Sequence, residues 1–296
     1  MPLKTAQDFD QELLILFDAY VHGTIDRRGF LDRAQKFAVG GMTAAGLLTA
    51  LSPDFARAQV VSKDDARIKT EMLDYPSTAG NGTMKGYLAR PVNMTGKLPV
   101  VLVVHENRGL NPHIEDITRR LALDNFVAFA PDALTPLGGY PGDEDKAREQ
   151  FAKLDQKKAA EDFLAAAQFL KNRPESNGKL GAVGFCYGGG IVHMLSTRMP
   201  ELSAGVPFYG NHPAASDAVK VKALLLIQFA GIDDRINSAW PAYEAALKAA
   251  NANYTAHIYA GTQHGFNNDT TPRFDAAAAK LAWGRTIGFF NTSLRT

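Results

Sequence analysis

From residue 98 onward, continuous apolar runs alternate with amphipathic stretches. "LPVVLVVHE" (98–106) is unbroken and β-branched, the pattern of a strand buried on both faces. "PHIEDITRRLALDN" (112–125) opens on proline and sets Ile114, Ile117 and Leu121 at helical spacing. "FVAFAPD" (126–132) reads as a second buried strand. Residues 143–171 read as one long helical stretch with Phe163, Leu164, Ala167 and Leu170 on one face. A strand over 179–185, a turn and a helix over 188–198 follow. "AGVPFYG" (204–210) and "KALLLIQFAG" (222–231) are further strands. A helix over 240–251, a strand over 254–260 and a closing helix over 272–294 complete the pattern. Alternation of this kind predicts an α/β fold, a mostly parallel sheet wrapped by helices. Reacting groups in such sheets collect beyond the carboxyl ends of the strands.

The first 58 residues break this pattern. "DFDQELLILFDAYVHG" (8–23) has the spacing of an amphipathic helix. Arg27 and Arg28 are adjacent and are followed by Phe30 and Leu31; Phe37 to Leu51 carries no charge; Ala56-Arg57-Ala58 has a small-X-small form. This resembles a twin-arginine export signal with cleavage after Ala58, read by the twin-arginine export machinery and delivering a periplasmic or secreted protein. The competing expectation is a cytoplasmic protein that keeps residues 1–58 as an arm packed on its own body or on a partner. Two details favour that second expectation: Asp32 stands where such signals often carry lysine, and the segment before the arginines is long. The uncharged run is 15 residues, short of the roughly 20 needed to span a membrane. Of 296 residues, cleavage after Ala58 would leave 238, the size of one α/β domain over 59–296.

Composition narrows the functional classes. Lys and Arg total 32 against 31 Asp and Glu, so nothing marks the chain for nucleic acid or an anionic membrane surface. One cysteine excludes an intrachain disulfide and a cysteine-based zinc cluster, and no metal or cofactor is expected.

That one cysteine lies in "GKLGAVGFCYGGGIVHM" (178–194). An apolar run, a Gly-X-Cys-X-Gly turn and a helical segment have the form of a nucleophile elbow, with cysteine where serine usually stands. A thiol nucleophile needs a base, and the base needs an orienting carboxylate. The expected order is nucleophile, acid, histidine. "AGIDDRIN" (230–237), after the strand 222–229, offers Asp233 or Asp234; "GTQHGF" (261–266), after the strand 254–260, offers His264. His105 and His212 also lie near strand ends and read as pocket-wall or structural histidines, and His193 as packed in the elbow helix.

"GFCYGGG", "HENRGLN" (105–111), "AGIDDRIN" and "GTQHGFNN" together resemble the dienelactone hydrolase family of α/β-hydrolases over residues 66–294. The resemblance implies a mostly parallel central sheet with helices on both faces, and cleavage of a small ester or lactone without a cofactor. It implies Cys186 as nucleophile, Asp233 as triad acid, with Ile236 in the family register, and His264 as base. Glu106 would contact the resting thiol and help pass its proton on, and the backbone N–H groups of Asn107 and Tyr187 would form the oxyanion hole. Tyr187 follows the nucleophile at a helix N-terminus, where free N–H groups and the dipole favour developing negative charge.

Arg108 is a candidate for a substrate carboxylate, or merely pairs with a neighbouring acid. Members acting on dienelactone carry arginines after the "PDL"-like segment and shortly after the catalytic histidine. "PDALTPLGG" (131–139) and "HGFNNDTT" (264–271) carry none, so dienelactone itself is not implied. "LTPLGGYPG" (134–142) reads as a loop over the pocket. Acyl transfer or peptidase action on the same scaffold, and a non-catalytic envelope binding protein, are the alternatives.

Overall fold

The computed structural model describes residues 4–295, apart from the side chain of Arg57. Four helices form the N-terminal arm: α1 (Gln11–Val21), α2 (Arg27–Ala34), α3 (Ala44–Leu51) and α4 (Phe55–Ala58). The body runs β1 (Ile68–Ser77), β2 (Gly82–Pro91), β3 (Leu98–Val104), α5 (Pro112–Leu123), β4 (Val127–Pro131), α6 (Glu144–Phe151), α7 (Gln156–Lys171) and β5 (Ser176–Phe185). It continues through α8 (Tyr187–Arg198), β6 (Leu202–Phe208), β7 (Leu224–Ile232), α9 (Asp234–Asn237), α10 (Trp240–Ala249), β8 (Tyr254–Gln263) and α11 (Ala276–Leu294).

The eight strands form one sheet in the order β1-β2-β4-β3-β5-β6-β7-β8. Pairing is parallel from β4 through β8 and antiparallel where β2 meets β1 and β4. Side-chain alternation on the strands divides the core into two layers. Val101, Val103, Val183 and Val206 face α5 and α11, which supply Ile114, Ile117, Leu121, Ala282 and Phe290. Val100, Leu102, Val104 and Ala182 face α7 and α8, which supply Phe163, Ala167, Leu170, Val192 and Leu195. Each buried Val, Leu, Ile or Phe among them contributes about 1.5–3 kcal/mol, so the central strands are fixed from both sides.

The arm has a small core of its own. Leu13, Leu14, Phe17 and Tyr20 of α1 pack with Phe30 and Ala34 of α2 and Leu47, Leu48 and Leu51 of α3. Asp10, Asp26 and Thr43 cap the starts of these helices by accepting from the backbone N–H groups of Glu12, Gly29 and Gly46. Among the described residues no helix is long and apolar enough to cross a membrane.

Two expectations need correction. Residues 143–171 are two helices, because Asp155 accepts from the backbone N–H groups of Lys157 and Lys158 and so starts a new one. The hairpin β1–β2 lies ahead of the first strand expected from apolar runs, and β1 is largely polar on one face.

Candidate active site

Cys186 stands between β5 and α8 with φ +56° and ψ −112°, a backbone state that sterics disfavour for a non-glycine residue. Its N–H donates to the Phe208 carbonyl at 3.0 Å, and its own carbonyl accepts from Gly189 N–H at 3.0 Å. The surrounding glycines allow this turn. A Cβ on Gly184 would lie 2.2 Å from the Gly188 carbonyl oxygen, and one on Gly188 would lie 2.2 Å from that of Val104. The motif therefore packs backbone on backbone, and it presents the thiol at the carboxyl end of the sheet.

β7 and β8 bring the expected partners together. His264 Nδ1 lies 2.6 Å from Asp233 Oδ2, with both residues buried, whereas Asp234 begins α9 and is exposed. His264 Nε2 is buried without a hydrogen-bond partner among the described residues. A ring nitrogen of His264 and the Cys186 sulfur fall within 4.8 Å of each other.

The thiol's hydrogen-bond partner comes from the arm. His22, at the C-terminal cap of α1, places Nε2 3.3 Å from Cys186 Sγ. Its Nδ1 lies 2.8 Å from the Asp18 carbonyl oxygen and 3.2 Å from Asp18 Oδ2. Asp18 is held by Arg273 Nη1 at 3.1 Å, with Arg235 Nε at 3.9 Å. The His22 and His264 rings meet edge to face with centroids 4.9 Å apart. Burial pushes the Cys186 thiol up, but His22 and His264 overcome it and bring the thiol down to about 6. Burial likewise disfavours charge on His22, yet the thiolate and Asp18 raise it to about 10. Asp18 is held well below the usual carboxylate range: burial opposes this, and the two histidines and Arg273 outweigh it. The site thus favours a thiolate–imidazolium pair.

The arm also occupies two other candidate residues. The Val21 carbonyl, at the negative end of α1, accepts from Asn107 Nδ2 at 2.8 Å and from Arg108 Nη1 at 3.2 Å. Arg108 is buried, with Glu144 Oε2 3.7 Å from its Nε. Glu106 shares the pocket with Cys186, where its Oε2 accepts from Asn268 Nδ2 at 2.8 Å. Tyr187 is the first residue of α8, directly after Cys186, and Asn107 lies on the loop after β3 and lines the same cavity as Cys186. The remaining cavity, about 50 Å³, is lined by Phe17, Tyr20 and His22 of the arm and by Glu106, Cys186 and Arg273 of the body. That holds a few water molecules and is small beside the roughly 300–1,000 Å³ of a ligand pocket.

The other histidines have structural settings. His105 is fully buried; its Nε2 accepts from Ala133 N–H at 3.1 Å while Nδ1 faces the Glu106 carbonyl, which fixes the tautomer. Burial lowers His193 to about 3 and His212 to about 4. The 134–142 loop is tied down by the buried Asp132 carboxylate, which accepts from the N–H groups of Leu134 and Tyr140. Its neighbours Glu144 and Asp145 line the cavity. Arg27 and Arg28 open α2, with Arg27 Nη1 2.5 Å from Asp145 Oδ2.

Sequence reasoning missed His22, Asp18, Arg235 and Arg273 as members of this site. A histidine at the end of an amphipathic helix was the one local signal for His22, and its partner lies 164 residues away.

The sequence profile described as "Dienelactone hydrolase family" matches residues 84–294, and one described as "YqhI-like" matches residues 1–39. An Escherichia coli O157:H7 protein named "Putative carboxymethylenebutenolidase" is 34% identical over 261 residues, covering 83% of this chain and 94% of that protein. "Putative hydrolase fragment YghX" of Escherichia coli K12 is 50% identical over 114 residues, covering 38% of this chain and 97% of that protein. A crystal structure titled "Putative Dienelactone Hydrolase" from Klebsiella pneumoniae superposes with TM-score 0.65 at 28% identity, covering 75% of this chain and 98% of that one.

Proposed function

The chain belongs to the dienelactone hydrolase family and is an ester or lactone hydrolase, and we propose that it works through a thioester on Cys186. The observation that supports this most is the buried His264–Asp233 pair at 2.6 Å, with a His264 ring nitrogen within 4.8 Å of the Cys186 sulfur. The thiolate attacks the carbonyl carbon of a small ester or lactone, and the carbonyl oxygen takes the negative charge facing the backbone N–H groups of Asn107 and Tyr187. The tetrahedral species collapses, the C–O bond to the alcohol breaks, and protonated His264 gives its proton to the departing alkoxide. Neutral His264 then takes a proton from water, the hydroxide oxygen bonds to the acyl carbon, and the thiolate leaves. Asp233 holds His264 Nδ1–H throughout. Glu106, in the same pocket, disfavours a second negative charge and would move as substrate arrives.

A panel of lactones and aryl esters, with water as sole acceptor, tests this reading. The wild type is expected to release acid and to carry a transient acyl mass on Cys186. Cys186→Ala should lose at least about 10⁴-fold in kcat/KM while remaining folded. Near-wild-type turnover by the folded variant would rule the mechanism out, and product formed only with an added alcohol or amine acceptor would indicate acyl transfer.

With the arm docked, the cavity has no room for an ester substrate, so this reading requires the arm to withdraw. We also propose that residues 24–58 are a twin-arginine export signal, so that cleavage after Ala58 would both release the protein outside the cytoplasm and open the site. Paired Arg27 and Arg28, the uncharged run and Ala56-Arg57-Ala58 support this. The mature protein from its host should then begin at Gln59, and Arg27→Lys/Arg28→Lys should keep it inside. Active protein that retains the first residues would instead make the arm a permanent, movable cover.

A further inference from the structure

We propose that His22, Cys186 and His264 together form a binding site for a thiophilic divalent cation of the zinc class, complete only while the arm is docked. One ring nitrogen of each histidine and the cysteine sulfur lie within 4.8 Å of one another. Around tetrahedral zinc, sulfur and imidazole nitrogen sit about 3.6 Å apart, from bond lengths near 2.3 and 2.0–2.1 Å. The observed His22 Nε2 to Cys186 Sγ distance of 3.3 Å is within a few tenths of that.

The surroundings of the two imidazoles carry the argument further. Metal-bound histidines usually donate the N–H of the other ring nitrogen to a carboxylate or carbonyl, which fixes the ring and turns the free lone pair to the ion. Both histidines have this support. His264 Nδ1 is engaged by Asp233 at 2.6 Å, and His22 Nδ1 by the carbonyl and carboxylate of Asp18 at 2.8 and 3.2 Å. His264 is 5% exposed, and its remaining nitrogen, Nε2, has no hydrogen-bond partner among the described residues. Two imidazoles and one thiolate leave the fourth tetrahedral position to water, as in an open zinc site. Arg235 competes: its Nη2 lies 3.1 Å from His22 Nε2 and 3.3 Å from His264 Nδ1, on a partly exposed side chain that an incoming cation would have to displace. An incoming cation would take the Sγ and Nε2 lone pairs, and the proton shared between His22 and the thiol would leave to solvent. The ion would bolt the arm to the body and tie up the sulfur electron pair. The sequence led to no expectation of a metal because the chain has one cysteine, and nothing local connected His22 with it.

The inference rests on side-chain geometry and holds whether or not Cys186 forms a thioester. The test is titration of chelator-treated full-length protein with cobalt(II), then zinc(II), followed by the thiolate-to-cobalt charge-transfer band. One equivalent of cobalt should produce the band and zinc should remove it. His22→Gln should abolish it, and Asp18→Asn should weaken binding about 10–100-fold, the usual cost of removing an outer-sphere partner. Arg235→Gln should tighten binding. Absence of a band in the wild type, or an equal band at equal affinity in His22→Gln, would overturn the proposal. The first result would leave the His22–thiolate contact a simple ion pair; the second would mean Cys186 and His264 hold the ion without the arm. Failure of the hydrolytic reading, by contrast, would appear as unchanged turnover in Cys186→Ala.

Discussion

Cys186 faces two histidine–aspartate pairs, one from each region of the molecule. His264 and Asp233 lie 2.6 Å apart on the ends of β8 and β7, two adjacent strands of the central sheet. Their geometry is inherited from backbone pairing and from a core buried on both faces. His22 and Asp18 lie one turn apart at the end of α1, in a helical unit with its own small core. That unit meets the body through polar contacts such as Gln11–Gln263, Arg27–Asp145 and Asp18–Arg273. An exposed ion pair such as Arg27–Asp145 is worth roughly 0–1 kcal/mol, whereas Asp18–Arg273 is largely buried. The same side-chain chemistry is thus built once on the ends of the central strands and once on a separate helical arm.

Matched substitutions give the largest effect and separate the two pairs. Asp233→Asn should lower kcat by about 10⁴-fold, because amide nitrogen in place of carboxylate favours the wrong His264 tautomer. Asp18→Asn should loosen the arm and leave kcat unchanged or higher, with kcat/KM raised as the site opens more often. A comparable loss in both variants would mean that both pairs serve the chemical step and would collapse the distinction.

A smaller effect comes from pH. His22 stands at about 10 against an ordinary 6.5, raised by the thiolate and by Asp18 of its own helix, so the stabilisation of its charged form is complete below 6.5 and is lost as pH climbs through about 10. Cys186 stands at about 6 against an ordinary 9.0, lowered by His22 of the arm and by His264 of the body, so the stabilisation of its thiolate is complete above 9 and is lost as pH drops through about 6, the arm supplying the His22 share. Since both belong to one ion pair, the arm should dock most firmly between about pH 6 and 10. The other charged groups facing the pair are Asp18, Glu106, His264, Arg235 and Arg273, and Asp18 remains ionised across this window. Hydrogen exchange of α1 amides, measured in chelator, should show greatest protection near the middle of that range. Protection that only increases toward pH 5 would exclude a thiolate partner.

The two regions also differed in how far the sequence revealed them. β3, β4 and β7 were evident because strands covered on both faces must be apolar throughout. Cys186 and Asp233 could be singled out because each follows such a strand, and His264 because it follows the edge strand β8, although their mutual distances could not. β1 escaped because it is an edge strand with one polar face, and the break before α7 escaped because an aspartate cap makes it without glycine or proline. His22 could not be placed by any local pattern: a helix of 11 residues states its apolar face but not what that face will meet. Arg273 lies nine positions past His264 in the chain and returns to the pocket only through the intervening turns.

Cutting the arm from the body tests the account most directly. A specific protease site placed between Gln59 and Val60 of the full-length protein allows cleavage after folding, followed by separation of the fragment. With the arm removed, kcat/KM for a small aryl ester should rise at least about tenfold and alkylation of Cys186 should accelerate, since the body keeps His264 and Asp233 while the cover is gone. Unchanged or lower activity in the separated, folded body would contradict the account and make His22 part of the working site.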